Sequence, residues 1–279
     1  MMILVSWNCR GMGSSLKVNA VRDLVKSEQL DFLLLQETKI TEQEFKDSTK
    51  KIKNYEGNAI SSAGASGGLG TLWNRKKWQL KNYKQNRWWI RTDFQNSIKS
   101  QEYSIYNVYA PPHFREKASC WDSISADLRD FQGKKIFLGG DLNLIRNAQE
   151  KLGGNFFADP AREALEEIIQ AHNLIDTPLH NGKYTWSNKR TGKNNIKERL
   201  DRILAQDKIL ADFKRIQSSV ILGYMSDHKP VSLRLDNGSY PGPIPFKYNK
   251  DWESVEGFKD LIKEQWAMEI SGSPHFIWE

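Results

Sequence analysis

The sequence lacks any apolar run of about eighteen residues, the shortest length with which a helix crosses a membrane. Residues 1–7 also lack the basic stretch and the small-residue cleavage site of a secretory signal, and their apolar character predicts a buried strand instead. These two absences lead us to expect a protein that neither spans a membrane nor is secreted.

Cysteine is scarce, since Cys9 and Cys120 are the 2 cysteines among 279 residues. One disulfide is possible in principle, but free thiols in a reducing compartment are the expectation. No Cys-x-x-Cys or His-x-x-x-His spacing is present, which excludes the common zinc motifs. The glycine-rich segment Gly67–Gly70 lacks the spacing of a nucleotide-binding loop, so we interpret it as the start of a strand.

Negative charge is in short supply, because 41 lysines and arginines stand against 34 aspartates and glutamates, a formal net charge of +7. This excess and a pI near 9.2 favour a polyanionic partner, although a generally basic surface explains the charge alone equally well. The hydrophobic fraction of 39% and the 10 tryptophans suffice for a sizeable core, which excludes wholesale disorder.

Strand and helix patterns alternate along the chain, which is typical of a mixed α/β fold. The apolar run Asp31–Gln36 predicts a strand covered on both faces, and Thr41 with Glu44 resembles a capping box that begins a short helix. Asp159 and Pro160 predict the start of a later helix, with Asp159 as its cap. Further strands are predicted at 3–7, 55–61, 68–73, 78–83, 87–94, 102–109, 134–138, 220–223 and 231–235, helices at 16–30 and 118–131, and a hairpin at 184–187 and 200–205.

A change of composition near residue 237 predicts a domain boundary. Residues 237–245 are rich in glycine and proline, which favours a break in regular structure. Beyond them, the spacing of Phe258, Leu261, Ile262 and Trp266 predicts one amphipathic helix, a tail too small for its own core. We therefore expect a main domain over residues 1–236 and a tail over 237–279.

Polar side chains recur where the predicted strands end, in clusters of carboxylates, amides and one histidine. Each cluster alone has an ordinary explanation, since Asp-His pairs, Asp-x-Asn turns and surface glutamates also arise for structural reasons. Together they are what metal-assisted phosphodiester chemistry requires. The clusters are Ser6-Trp7-Asn8, Gln36-Glu37, Gly140-Asp141-Leu142-Asn143, Arg199-Leu200-Asp201-Arg202 and Ser226-Asp227-His228.

The acids and amides have separate expected roles. Glu37 emerges from a buried strand, where a carboxylate suits a hard cation such as Mg²⁺. Asp141 and Asn143 are separated by one residue, which puts both side chains on one face of an extended segment. Asn8 can donate to a phosphate oxygen while it positions a carboxylate, and the phenol of Tyr109 can donate to a phosphoryl oxygen.

His228 is the candidate imidazole of the site, and Asp201 is the acid expected to orient it. Asp201 alternates with its apolar neighbours Leu200 and Ile203, so its side chain can face the site while theirs face the interior. A carboxylate that fixes an imidazole in this way follows the logic of hydrolytic enzymes.

These motifs occur in the order of the endonuclease/exonuclease/phosphatase superfamily, which includes DNase-I-like and apurinic/apyrimidinic-type nucleases. The sequence resembles that superfamily over about residues 1–236, and more narrowly it resembles the endonucleases of plant-type LINE (non-LTR) retrotransposons. The superfamily motifs are Trp7-Asn8, Leu35-Gln36-Glu37-Thr38, Asn107-Val108-Tyr109-Ala110-Pro111, Gly140-Asp141-Leu142-Asn143, Leu200-Asp201-Arg202 and Ser226-Asp227-His228. Those resembling LINE endonucleases are residues 6–13, residues 140–143 followed by 150–154, and residues 184–188.

The resemblance implies a fold, a cofactor and a set of roles. The fold is a four-layer α/β sandwich of two packed mixed β-sheets flanked by helices. The cofactor is Mg²⁺, with Mn²⁺ as the alternative, held by Glu37 with Asn8 beside it and with Asp227 near the metal and the leaving group. The remaining implied roles are water activation by Asp141 supported by Asn143, transition-state stabilisation by His228 held by Asp201, contact of Tyr109 with the scissile phosphate, and secondary DNA contacts by Thr185 and Ser226.

The implied reaction is a nick in one strand of double-stranded DNA that leaves a 3′-hydroxyl and a 5′-phosphate. In a LINE element that hydroxyl primes reverse transcription at the target. Residues 245–266 resemble the segment that leads toward the reverse transcriptase of the same polyprotein. We therefore expect translation in the cytoplasm, action in the nucleus, and a monomer when the endonuclease is separated from the polymerase.

A basic, amide-rich segment at residues 188–197 is the candidate element for DNA recognition. Similar loops in the superfamily enter the minor groove. Its lysines and arginine suit phosphates and its asparagines suit groove edges, although a solvated surface loop is the alternative interpretation. The candidate contacts are Lys189, Arg190, Lys193 and Asn194.

Other functions compete with a LINE endonuclease. A host repair enzyme that acts at abasic sites would share the same motifs, as would a superfamily phosphatase or deadenylase. A catalytically inactive DNA-binding module is disfavoured, because binding alone does not need the full set of acids, amides and histidine.

Overall fold

The computed structural model describes residues 1–64, 66–99, 101–129, 135–238, 253 and 255–267. The chain divides into two compact units, Met1–Gly238 and Ser239–Glu279. In the described part of the first unit the helices are α1 (Ser15–Glu28), α2 (Glu42–Thr49), α3 (Phe114–Arg129), α4 (Arg162–Ala171) and α5 (Asp207–Leu210). Its strands are β1 (Met2–Asn8), β2 (Phe32–Gln36), β3 (Tyr55–Ile60), β4 (Leu69–Asn74), β5 (Trp78–Gln85), β6 (Trp89–Asn96), β7 (Glu102–Tyr109), β8 (Lys135–Asp141), β9 (Lys151–Leu152), β10 (Leu174–Asp176), β11 (Trp186–Ser187), β12 (Lys197–Glu198), β13 (Asp201–Gln206), β14 (Arg215–Val220) and β15 (Val231–Asp236).

The strands form two six-stranded sheets. The first has the order β14-β15-β1-β2-β4-β3, and the second has the order β10-β13-β8-β7-β6-β5. Each sheet is mixed, because β1 runs parallel to β2 and β7 runs parallel to β8 while the other pairs are antiparallel. A small third sheet joins β11, β12 and β9. The predicted fold, two mixed sheets with flanking helices, is confirmed.

Alternating side chains on the strands build the four layers. In the first sheet Leu4 and Leu34 face the second sheet and belong to a buried cluster with Ile105 and Phe137. Their chain neighbour Leu33 points the other way and packs in the cluster that contains buried residues of α1 and α2. The second sheet is likewise covered by α3 and α4, in a cluster with its own outward-facing side chains. A strand that is covered on both faces has apolar residues at nearly every position, as β2 does.

The predicted hairpin of residues 184–187 and 200–205 was wrong in its second strand. β11 pairs instead with β12, with Trp186 opposite Glu198 and Ser187 opposite Lys197. β13 lies between β8 and β10 in the second sheet, because its fully buried segment needs partners on both edges. The strand predicted at 220–223 is also displaced, since β14 ends at Val220.

Of the two helix starts predicted from capping residues, the one at Thr41 is confirmed and the one at Asp159 is wrong. Thr41 and Glu44 form the predicted reciprocal capping box at α2, with Thr41 N donating to Glu44 Oε2 at 2.8 Å and Glu44 N donating to Thr41 Oγ1 at 3.2 Å. Asp159 does not cap α4, which begins at Arg162. Its carboxylate accepts from Ala161 N at 2.8 Å in the preceding turn and forms an ion pair with Lys117.

The described part of the second unit contains one helix, α6 (Phe258–Trp266), at the place predicted from its apolar spacing. Residues 239–245, which make up most of the predicted glycine- and proline-rich break, lie outside the described residues. Among the helices of the described residues, none is both long and apolar enough to cross a membrane.

Gly140 supplies a close approach that a side chain would prevent. Its φ is +154° and a Cβ there would lie 1.8 Å from the carbonyl oxygen of Val108 on β7. We expect Gly140→Ala to lower the free energy of unfolding by about 3 kcal/mol or more, because backbone rather than a side-chain tip must move. Gly13→Ala is the matched control, since nothing lies within 4 Å of a Cβ at that position. Urea unfolding of both variants measures the effect, and equal stabilities would contradict it.

Candidate active site

Strand register gathers the site residues of the second sheet at one edge. Asp141, the last residue of β8, lies opposite Asp201, the first residue of the antiparallel β13. Tyr109 ends β7 and is the parallel partner of Asp141 on the other side. Three polar side chains from distant parts of the sequence therefore stand in one row across the sheet.

His228 lies between the two aspartates of this row. Its Nδ1 is 2.9 Å from Asp201 Oδ2 and 3.1 Å from Asp201 Oδ1, and its Nε2 is 3.7 Å from Asp141 Oδ2. All three side chains are buried. Because Asp201 accepts at Nδ1, the Nε2 edge of the imidazole is turned toward Asp141, as the pairing of His228 with Asp201 predicted.

Burial and mutual charge shift the pKa values of this group. Burial raises the pKa of Asp141 to about 6, against the opposing effect of the His228 charge. Burial alone would lower the pKa of His228, but the carboxylates of Asp201 and Asp141 outweigh it and raise the pKa to about 9. At a pH between these two pKa values, Asp141 is a carboxylate and His228 is an imidazolium. The site then holds a base beside a cation.

Asn8 joins the acids of the two sheets. Its Nδ2 donates to Glu37 Oε1 at 3.0 Å and to Asp141 Oδ2 at 2.8 Å, while its Oδ1 accepts from Arg10 N at 3.1 Å. Tyr109 also donates to Glu37 Oε1, at 3.0 Å. The amide of Asn8 thus positions both carboxylates, and its part in holding a metal stays a prediction.

Two cations face the carboxylate of Glu37. Arg10 Nε lies 3.7 Å from Glu37 Oε1 and Arg10 Nη2 lies 2.9 Å from Asp227 Oδ2, while Lys39 Nζ lies 3.2 Å from Glu37 Oε2. Burial would raise the pKa of Glu37, but the hydrogen bond from Asn8 and these cations hold it below its ordinary value. The pKa of Asp227 is lowered too, since contacts including Arg10 outweigh burial.

This donor set fits a hard divalent cation. Glu37 and Asp227 are both ionised, both meet the guanidinium of Arg10, and both supply the oxygen ligands that Mg²⁺ prefers. Asp141, Asp201 and His228 also offer atoms within 4.8 Å of one another. That trio is buried and already linked by hydrogen bonds at His228 Nδ1, which leaves Glu37 and Asp227 as the carboxylates that would hold a cation.

Asn143 supports Asp141 through its backbone. It has a positive φ of 46°, and its N–H donates to Asp141 Oδ1 at 3.0 Å. Its side-chain Nδ2 donates to the carbonyl of Ala110 at 2.6 Å. The predicted pair thus forms a turn in which Asn143 fixes the carboxylate of Asp141.

Thr185 and Ser226, two of the predicted DNA contacts, make hydrogen bonds within the protein. Thr185 is fully buried, and its hydroxyl accepts from the backbone N–H groups of Leu200 and Asp201, each at 3.0 Å. Ser226 Oγ donates to the Asn8 carbonyl at 2.9 Å and accepts from His228 N at 3.2 Å. These bonds position Asp201 and His228. The burial of Thr185 corrects the prediction that it contacts DNA, whereas Ser226 lines the adjoining groove and its contact with DNA stays a prediction.

The predicted recognition loop joins β11 to β12. Asn188 holds its base, accepting from Arg190 N at 3.2 Å and Ile196 N at 3.0 Å. Gly153 lies directly behind, and a Cβ there would meet the Asn195 carbonyl oxygen at 2.1 Å. The side chains predicted to meet DNA are all exposed: Lys189, Arg190, Lys193 and Asn194.

The site opens into a cleft with a basic groove beside it. The cleft has a volume of about 460 Å³ and is lined by residues including Glu37, Tyr109, Asp141 and His228. An adjoining groove of about 410 Å³ shares Trp186 with the cleft. Four lysines line that groove: Lys183, Lys189, Lys197 and Lys229.

Sequence reasoning missed three contacts of the site. Arg10 and Lys39 touch Glu37, and Trp186 Nε1 donates to Asp227 Oδ2 at 3.0 Å. Each of these residues lies next to or within a predicted motif in the sequence, but only the fold shows the direction of its side chain. Arg10 follows Trp7-Asn8 by two residues, and that proximity was the available signal.

The fold and this geometry are those of a hydrolase that acts on phosphate esters, a nuclease or a phosphatase. Residues 5–228 match the Endonuclease/Exonuclease/phosphatase family, to which the chain therefore belongs. In structure it is similar to a variant of the 3′ phosphatase NExo from Neisseria bound to a product DNA hairpin. That similarity has a TM-score of 0.68 and 18% identity, and covers 85% of this chain and 100% of the other.

Two relatives of known sequence are also similar. The transposon TX1 uncharacterized 149 kDa protein of Xenopus laevis is 29% identical over 171 residues, 59% of this chain. The match spans 13% of that protein's own length. An exodeoxyribonuclease of Bacillus subtilis (strain 168) is 25% identical over 261 residues, covering 83% of this chain and 98% of the relative.

The pairing of His228 with Asp201 gives a prediction about pH. The pKa of His228 is raised from 6.5 to about 9, so its contribution to stability is full below pH 6.5 and is lost as the pH rises through 9. Asp201→Asn should return the pKa toward 6.5. NMR titration of the imidazole Cε1–H signals measures both proteins, and His180→Gln, at an exposed position, helps to assign the signals. A wild-type His228 that titrates near 6.5 would contradict the assignment.

Proposed function

We propose that this chain is a divalent-metal-dependent DNA endonuclease of a LINE retrotransposon. It nicks one strand of target DNA and leaves the 3′-hydroxyl that primes reverse transcription. One observation carries the hydrolytic part: the pair of Asp201 and His228 faces Asp141 at a cleft that also holds Glu37. The basic groove and loop beside that cleft favour a long polyanion over a small phosphoester.

Asp141 is the base that orients and deprotonates the attacking water. Its Oδ1 is fixed by the N–H of Asn143 and its Oδ2 by the amide of Asn8, so the carboxylate is held for one direction of attack. The water oxygen bonds to phosphorus as its proton passes to Asp141, the bond from phosphorus to the 3′ oxygen breaks, and the departing oxygen takes up a proton from solvent. The products are a 3′-hydroxyl and a 5′-phosphate.

His228 stabilises the negative charge that develops on the phosphoryl oxygens. As an imidazolium it donates from Nε2, while Asp201 keeps Nδ1 occupied. Tyr109, which lines the cleft, is placed to meet the same phosphate. A divalent cation held by Glu37 and Asp227 would neutralise charge on the leaving oxygen and orient the phosphate.

The retrotransposon assignment rests on sequence likeness. The TX1 protein is a transposon protein, and the match to it covers 59% of this chain. We propose that residues 237–279 are the tail of an endonuclease domain and lead toward a reverse transcriptase, and that the polyprotein is made in the cytoplasm and acts in the nucleus. Residues 6–13, which include Arg10, are part of the LINE-like pattern.

A repair nuclease is the second candidate. Its support is the likeness to the exodeoxyribonuclease of Bacillus subtilis, which extends over 98% of that protein. Such an enzyme would prefer damaged or terminal substrates, whereas a target-site nickase acts within intact duplex DNA. The two candidates therefore differ in substrate and share the hydrolytic site.

Nicking of supercoiled plasmid with Mg²⁺ or with a chelator tests the proposed reaction. Asp141→Asn and His228→Gln should each slow nicking by at least about 100-fold, because each removes a proton-transfer or charge-stabilising group. Asp122→Asn and His180→Gln are matched controls at exposed positions. Nicking that persists in either site variant, or in the chelator, would refute the mechanism.

The same assay separates the candidates when plasmids with and without abasic sites are compared. A target-site endonuclease should nick intact plasmid at preferred positions and leave 3′ ends that a polymerase extends. Cleavage confined to abasic plasmid would instead support the repair nuclease, and no cleavage of either would exclude both.

The loop at residues 188–197 gives a separate prediction about binding. The double variant Arg190→Ala/Lys193→Ala should weaken duplex DNA binding and reduce the slope of log affinity against log salt by about 2, one unit per lost phosphate contact. Lys26→Ala/Lys81→Ala removes two exposed lysines elsewhere and should leave the slope unchanged. Fluorescence anisotropy over a salt series measures both, and an unchanged slope in the loop variant would exclude groove contact.

A further inference from the structure

Arg10 is a cation that the proposed mechanism does not use, although it lies at the centre of the site. Its guanidinium meets two acids from separate segments, Asp227 at 2.9 Å and Glu37 at 3.7 Å. Lys39, the other cation at this place, reaches Glu37 at 3.2 Å. Among the ion pairs of the described residues, only those of Arg10 link Glu37 with Asp227.

The backbone of Arg10 is held by hydrogen bonds, whereas its side chain is partly exposed. Arg10 N donates to Asn8 Oδ1 at 3.1 Å, and the next residue, Gly11, donates its N–H to the Glu37 carbonyl at 2.7 Å. Arg10 has a φ of 52° and Gly11 a φ of 104°, so this turn holds a left-handed shape. The side chain of Arg10 is by contrast 43% exposed and lines the cleft.

A guanidinium between two carboxylates occupies the position that a hard cation would take. Ion pairs of a half-exposed arginine are weak and exchangeable, whereas a divalent ion between two carboxylates balances both charges at once. Once displaced, the guanidinium stays within one side-chain length of the cleft, because the backbone of Arg10 is anchored to Asn8 and that of Gly11 to Glu37. Its planar donors then suit a phosphate, which arginine binds with two parallel hydrogen bonds.

We propose that Arg10 is an exchangeable counterion. It neutralises Glu37 and Asp227 in the metal-free protein, is displaced by the divalent cation, and then binds a phosphate of the DNA strand. Metal binding and substrate binding are coupled through this one side chain. The inference rests on the proposed function and deepens it, since it names a substrate contact and the event that frees it.

Mn²⁺ binding to the DNA-free protein, followed by electron paramagnetic resonance of the free ion, tests the exchange. Arg10→Gln should bind Mn²⁺ about fivefold more tightly than the wild type, because the competing charge is gone. A change of about fivefold in affinity corresponds to the free energy of one half-exposed ion pair. Arg10→Lys keeps a point charge and should lie between them. Arg75→Gln is the control, because this exposed arginine pairs with Glu56 at 3.4 Å and with neither acid of the site.

Equal or weaker Mn²⁺ binding by Arg10→Gln, with a wild-type-like melting temperature in chelator, would overturn the exchange. If the glutamine variant fails to fold, the Mn²⁺ affinity of Arg10→Lys is compared with that of the wild type instead, and equal or weaker binding again overturns the exchange. A wild-type protein that binds no Mn²⁺ would defeat the proposed metal-dependent function itself. Failure of the inference and failure of the function are therefore separate results.

DNA binding supplies the second readout. In a His228→Gln background, where cleavage is expected to be lost, Arg10→Gln should lower the salt slope by about 1 in Mg²⁺ and leave it unchanged in chelator. This difference follows because Arg10 is free for phosphate only when the cation has taken its place. The same loss of slope in both conditions would show that Arg10 binds DNA without exchange and would overturn the coupling.

Discussion

One amide nitrogen, Nδ2 of Asn8, holds the two halves of the site together. It donates to Glu37, which follows a strand of the first sheet, and to Asp141, which ends a strand of the second. Two buried carboxylates repel each other unless a donor or cation stands between them. Asn8 supplies that donor, His228 and Arg10 supply cations on either side, and the positions of the remaining site residues follow from this arrangement.

Much of this arrangement could be predicted from the sequence, because the strands carry strong local signals. Apolar runs such as β2 mark buried strands, and polar residues directly after them must fall at a sheet edge. The ordered motifs then indicated that Glu37, Asp141 and His228 share one site, and the structure brings them together. The pairing of His228 with Asp201 was predicted in the same way, from the place of both residues in the ordered motifs.

What could not be predicted depends on contacts between segments far apart in the chain. Thr185 was interpreted as a DNA contact, but its hydroxyl is used by the backbone at the start of β13. β13 itself was assigned to a hairpin, because its alternation does not reveal which strand is its neighbour. Arg10 shows the same limit: its charge is visible in the sequence, but its reach across to Asp227 exists only in the folded chain.

The loop between β11 and β12 has a base held by hydrogen bonds to the main chain and a tip of exposed side chains. Asn188 and Asn195 secure the base by bonding to main-chain atoms of the tip, and Gly153 packs behind it. The side chains predicted to meet DNA stand exposed at residues 189–194, away from these bonds. Substitutions at the tip are therefore free to change the surface beside the cleft while the residues of the hydrolytic site keep their contacts.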